Sequence, residues 1–93
     1  IKGIRHACEA ETSLMMHLAP ELVRTDRLRD DGLEPDGGFL GVIANFDEVT
    51  ENGSFGEATR ATAEAGRLLF ESAVAGATDW VRQARAGVSF VSL

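Results

Sequence analysis

The stretch from residue 57 to 85, EATRATAEAGRLLFESAVAGATDWVRQAR, constrains the fold more than any other part of this chain. Ala58, Ala61, Ala65, Leu68, Leu69, Ala73, Ala77, Trp80 and Ala84 recur at helical spacing, which predicts one long amphipathic helix. Phe70, Val74 and Val81 add a second apolar direction, so this helix needs cover on more than one side. Ser54 and Glu57 stand in the S-x-x-E relation of a capping box and mark its start. Gly66 and Gly76 inside it each cost ~1 kcal/mol relative to alanine. Such residues are tolerable where a neighbouring element comes close.

The rest of the chain offers little cover. In 8–18, Ala10, Leu14 and Leu18 recur every four residues, with Ala7 and Met15 adjoining, so a short amphipathic helix is expected there. Pro20 stops it, because the residue before a proline is pushed out of the α region. Met15 and Met16 read as adaptable core filler with partial exposure. Residues 22–38 are polar and turn-rich, with Val23 in a short extended piece and turns at Asp30-Asp31-Gly32 and Pro35-Asp36-Gly37. The spacing of Asp30, Asp31, Glu34 and Asp36 does not match a calcium-binding EF-hand loop, which leaves a solvated acidic loop as the reading. FLGVIANF, 39–46, is a β-rich apolar run and predicts a strand, followed by a tight turn at Asn52-Gly53. GVSFVSL, 87–93, alternates in a β-like way. Two helices and one or two short strands cannot bury the long helix. The missing surface is expected from a further part of a longer protein, from another subunit, or from both.

Composition narrows the function classes. Ninety-three residues, 44% hydrophobic and 26% charged, make at most one small globular domain. A chain of this size buries only ~60–65% of its unfolded surface, so partners matter to its stability. The net charge of −6, a single lysine (Lys2) and eight scattered arginines argue against a nucleic-acid surface. One cysteine excludes an internal disulfide and favours a reducing, cytoplasmic setting. No apolar run approaches the ~20 residues of a membrane span. The opening Ile1-Lys2-Gly3-Ile4, without an initiating Met, is expected of a piece of a larger protein.

Chemistry concentrates in His6-Ala7-Cys8-Glu9-Ala10-Glu11-Thr12-Ser13. A histidine ahead of a helix can act as base, hydrogen-bond donor or metal ligand. Glu9 and Glu11 point to different helix faces and do not make an acid–base pair. Thr12 and Ser13 are suited to bonding backbone groups near a helix start. Cys8 reads as a buried small residue, since one Cys-His pair is no zinc module. His17 reads as structural or surface. There is no G-x-G-x-x-G and no P-loop. These residues alone leave two readings open, a working site or a polar helix start.

Extended as far as Leu28, the stretch HACEAETSLMMHLAPELVRTDRL resembles the H-A-G-E-x-E-T-S-x-M-L-x-x-x-P-x-L-V segment of the creatininase family of metal-dependent amidohydrolases. His6, Ala7, Glu9, Glu11, Thr12, Ser13, Met15, Pro20, Leu22 and Val23 fall at the matching offsets. GSFGEATRATAEAGRLLFESAV is similar to the family's late G-D-P-x-x-A-T-x-x-x-G segment through Gly56, Ala61, Thr62 and Gly66. The resemblance implies an α/β protein of three layers, α/β/α, of which residues 1–93 would be the C-terminal portion. It implies hydrolysis of a cyclic or linear amide C–N bond, a small-molecule amide substrate, and assembly into a homo-oligomer. His6 would be the catalytic histidine, binding substrate and transferring a proton. Glu9 and Glu11 would bind substrate or support the site by hydrogen bonds. Divalent metal ions such as zinc or manganese would be held upstream, by an E-x-H pair, an Asp and an H-x-E that this chain lacks. No metal ligand is therefore assigned here, and the piece alone is expected to be inactive. Three departures stand out: Cys8 replaces the motif glycine, Glu57-Ala58 replace Asp-Pro, and Arg5 stands where creatininase proper carries a substrate-contacting glutamate. Arg5 points away from creatinine as the substrate. The alternative is a non-enzymatic assembly module related to the family, which would lack the upstream ligands.

Overall fold

A computed structural model describes residues 5–32 and 45–87. Helix α1, Glu9–Leu18, begins where Cys8 leaves an extended conformation and Thr12 N–H donates to the Cys8 carbonyl at 2.9 Å. Glu9 and Glu11 in its first turn and His17 in its last complement the helix dipole. It ends at Ala19, whose N–H closes on the Met15 carbonyl at 2.8 Å just ahead of Pro20. Two 3-10 turns come next, Pro20–Leu22 and Thr25–Arg27, with Val23 extended between them as its sequence suggests.

Helix α2 is a single turn, Phe46–Val49. The strand expected over 39–46 falls largely outside the described residues, which leave out 39–44; at its end Phe46 begins a helical turn. The cause is a local cap. The Glu48 carboxylate reaches back to the Asn45 N–H and to the Asn45 side-chain amide, each at 3.4 Å, while Glu48 N–H donates to the Asn45 carbonyl at 3.0 Å.

The long helix α3, Ala63–Arg85, also starts later than its S-x-x-E signature indicates. A 3-10 turn, Ala58–Arg60, precedes it, and Thr62 is the N-cap, its hydroxyl accepting from the Ala65 N–H at 3.1 Å. Ser54 is not free to cap a helix: its N–H and hydroxyl both donate to the Asn52 side-chain oxygen, at 3.0 and 2.7 Å, within the turn at Asn52-Gly53.

α1 crosses α3 at its first full turn. A Cβ built on Gly66 would lie 1.8 Å from the Ser13 carbonyl oxygen, so the two backbones touch there. Ser13 is fully buried, and its hydroxyl accepts the Thr62 N–H at 3.1 Å. Further along, the His17 and Phe70 rings meet with centroids 5.7 Å apart, giving His17 a packing role. Beyond that crossing the cover ends. From Glu71 to Gly87 every residue is exposed except half-buried Gln83, and Trp80 is 66% exposed. The shortfall read from the sequence is thus visible: the buried apolar side chains among the described residues are the small Cys8, Ala10 and Ala58.

Among the described residues no β-strand is formed, only two isolated antiparallel bridges, His6 with Phe55 and Asp31 with Gly56. The described part is therefore helical, and the expected α/β layering does not show within it. The alternating tail 88–93 lies outside the described residues. No helix among them is long and apolar enough to cross a membrane.

Candidate active-site wall

The cluster at residues 6–13 separates into parts that hold the fold and parts that face outward. His6 is exposed, and its main chain is paired: Phe55 N–H donates to the His6 carbonyl at 2.7 Å, and His6 N–H returns a longer bond of 3.3 Å. Ala7 has φ 47°, a left-handed conformation costly for a residue with a Cβ. The Thr12 hydroxyl donates to the Ala7 carbonyl at 3.3 Å and helps hold that turn. Ala10 and Ser13 are buried, Ser13 against Gly66 of α3.

Cys8 explains its own departure from the family pattern. Its φ of −87° is open to any residue, so the side chain brings no backbone strain. It is 2% exposed. Its Sγ accepts the Arg5 N–H at 3.4 Å and donates to the Glu11 carboxylate at 3.8 Å. The bare position lies opposite, at Gly56, where φ is +138° and a Cβ would come within 2.9 Å of the Cys8 Cβ.

Glu9 and Glu11, two residues apart, lie about 200° apart around the helix axis. Both are half-buried. Glu11 lines an open groove of about 410 Å³ together with Ala7, Met15, Val23, Arg24 and Arg27, and Glu9 is not in that lining. The structure does not bring the two carboxylates together. The Arg5 guanidinium sits over the Phe55 ring, 5.3 Å from its centroid.

Sequence reasoning missed Asp30 and Asp31, which are not simply solvated. One Asp31 oxygen accepts the Glu51 and Asn52 N–H groups at 2.9 and 2.7 Å, and the other accepts Gly32 N–H at 2.8 Å. The Asn52 amide is the largest influence holding this carboxyl below its ordinary range, with burial opposing it. One Asp30 oxygen accepts both the Thr59 N–H, at 3.0 Å, and the Thr59 hydroxyl, at 2.7 Å. An Asp-Asp-Gly turn predicts the bond to Gly32, but nothing local predicts partners some twenty to thirty positions away.

Among the described residues no three His, Cys, Asp or Glu side chains converge so as to hold a metal ion. The wall offers imidazole, carboxylates and a groove, and these residues provide no metal seat.

The creatininase (creatinine amidohydrolase) profile matches residues 2–81, a span containing both sequence blocks and the whole wall. The chain belongs to the creatininase family. This creatininase-family chain is similar to the mycofactocin precursor peptide peptidase of Mycobacterium ulcerans (strain Agy99), at 38% identity over 78 residues. It is 40% identical over 78 residues to the protein of the same description from Mycobacterium tuberculosis (strain CDC 1551 / Oshkosh). Each alignment covers 77% of this chain and 30% of the relative. The chain therefore spans about 30% of the length of the curated relatives it matches. No solved structure matches it.

Proposed function

We propose that residues 1–93 are the C-terminal portion of a creatininase-family amidohydrolase and form one wall of its active site. The reaction is hydrolysis of an amide C–N bond. A peptide-type amide is favoured as substrate, because the relatives that this chain matches are described as precursor peptide peptidases. The His6 imidazole contacts the scissile amide and passes a proton to its nitrogen as the bond breaks. Glu11 on the groove orients substrate by hydrogen bonds, and Glu9, on another face of α1, supports neighbouring groups in the same way. The divalent ions generally used by this family have no seat among the described residues and are assigned to other parts of the protein. Those parts also supply the sheet of a three-layer α/β/α fold.

The division of labour within the cluster carries this reading. Ala7, Cys8, Ala10, Thr12 and Ser13 hold the fold, while His6 is anchored through its main chain and is exposed, outside the lining of the groove that holds Glu11. Because both bonds to Phe55 use main-chain atoms, replacing the imidazole should leave the bridge intact. In the protein carrying this segment, His6→Ala and His6→Gln should lower kcat by roughly 10²–10⁴ for peptide-amide hydrolysis, with unchanged circular dichroism. Unchanged turnover would refute the role of His6. Stoichiometric zinc or manganese bound by residues 1–93 alone would refute the placement of the metal ligands.

The exposed face of α3 supports a second reading, a non-enzymatic assembly module. Phe70, Val74, Trp80 and Val81 are all exposed, and an apolar face of that extent marks an interaction surface. The two readings part on whether the protein carrying this segment also contains the upstream E-x-H, Asp and H-x-E residues.

A further inference from the structure

We propose that Asp30 and Asp31 form a clasp that positions His6, acting through the Phe55-Gly56 segment; as a statement about catalysis this rests on the role given to His6 above. Three pieces of chain lie side by side at this point. Phe55 pairs with His6 on one side, and Gly56 pairs with Asp31 on the other, through Gly56 N–H at 2.8 Å and Asp31 N–H at 3.2 Å. The middle piece is only these two residues long, too short to hold a register unaided, since an isolated bridge lacks the neighbouring pairs that fix a ladder.

The two aspartates grip that piece from both flanks. Asp31 takes the Glu51 and Asn52 amides ahead of Phe55, and Asp30 takes both donors of Thr59 beyond Gly56. A carboxylate accepting main-chain N–H groups makes charge-assisted bonds, roughly twice as strong as neutral ones. The Phe55 ring is confined as well. The Arg5 guanidinium covers it, and a Cβ on Gly32 would come within 2.6 Å of its Cδ2. Arg5 and Gly32 are the neighbours of His6 and Asp31, so both bridges are buttressed through the same ring.

The consequence is directional. The His6 N–H bond to Phe55 is the long one, at 3.3 Å, so a small displacement of Phe55 releases it. A shift of about 1 Å in a positioning contact can cost on the order of 10²-fold in rate. Asp31 is a positioning residue in this sense. It acts on His6 through Phe55 and is not assigned any contact with substrate.

The test uses the whole protein carrying this segment, with its histidines labelled with ¹³C and the His6 and His17 signals assigned by His6→Gln and His17→Gln. Asp31→Ala should shift or broaden the His6 signal, leave that of His17 in place, and lower kcat roughly 10–100-fold with KM within about twofold. Asp31→Asn keeps one acceptor oxygen, enough for the Glu51 and Asn52 amides or for Gly32 but not for both, and should fall between wild type and Asp31→Ala. Should Asp31→Ala fail to fold, Asp31→Asn carries the same comparison. An unmoved His6 signal overturns the clasp, as does a joint shift of His6 and His17 with lost helicity, which marks general unfolding. If His6→Ala leaves turnover intact, the catalytic reading fails, and the His6 signal still decides the clasp.

Discussion

Two glycines in one helix should respond to the same substitution with opposite signs. Gly66 and Gly76 both lie within α3, and alanine is the better helix former at either site by about 1 kcal/mol. At Gly76 nothing lies within 4 Å of the position a Cβ would take, so Gly76→Ala should stabilise by about that amount. At Gly66 the new methyl would sit 1.8 Å from the Ser13 carbonyl oxygen. Restoring ordinary contact near 3.4 Å moves the helices apart by about 1.6 Å. The bond from Thr62 N–H to the buried Ser13 hydroxyl, now 3.1 Å, would break. Overpacking costs about 1–3 kcal/mol, and an unsatisfied buried polar group about 1–3 kcal/mol more. After the helix-propensity gain of about 1 kcal/mol, Gly66→Ala should destabilise by roughly 1–5 kcal/mol. Thermal melts of the protein carrying this segment, followed by circular dichroism, resolve this, since 1 kcal/mol moves the Tm by roughly 2–4 °C in a domain of 150–250 residues. Gly66→Ala should lower the Tm and Gly76→Ala should raise it. Equal shifts of the same sign would refute the close crossing of α1 and α3.

Other expectations are simpler. Ala7→Gly removes the left-handed strain at φ 47° and should stabilise by roughly 0.5–1 kcal/mol in a urea titration, the gain reduced by the greater freedom of glycine when unfolded. Gly56→Ala should destabilise by roughly 1–3 kcal/mol, and pairing it with Cys8→Gly should recover part of the loss, because Cys8 Cβ is the atom struck. A double mutant no better than Gly56→Ala alone would place the whole cost in the backbone. Asp31 has a folded pKa below its unfolded value, so its stabilisation is complete above the unfolded pKa near 4 and is lost as pH falls through the folded value. Acid titration of unfolding should therefore be flatter in Asp31→Asn than in wild type below pH ~4.

What the sequence disclosed depended on how local each cause was. The helix α1 and its stop before Pro20 arise from residues near one another, and the structure has them; the close approach at Gly66 was signalled by a glycine inside a helix, while its partner Ser13 lies far back in the chain. The family was legible for a related reason, since two blocks of matching residues in the right order need no three-dimensional knowledge. The start of α3 was misplaced because Ser54-Phe55-Gly56-Glu57 carries the letters of a capping box while its serine is already engaged by Asn52. Asn45 and Glu48 carry the same kind of relation and do use it, across the end of the apolar run 39–46. Short signatures name a capacity, and competing partners decide whether it is used. Asp30 and Asp31 were illegible in a different way, for their partners lie far along the chain. His6, Glu9 and Glu11 were singled out from the same cluster, and the structure separates the two glutamates around α1.

The uneven cover of α3 also sets a gradient of motion along a single helix. Around Gly66 the backbone is clamped by Ser13, and amide hydrogens there should exchange with solvent only on larger openings of the fold. From Glu71 onward the helix depends mainly on its own hydrogen bonds, and a segment of that length is marginal in water without packing. Exchange should accelerate steadily toward Arg85, with the Trp80 indole reporting a water-like environment in fluorescence. Anything that docks along this end would slow that exchange and shift the tryptophan emission to the blue. The outer half of α3 would thus report the docking of any partner along it without an added label.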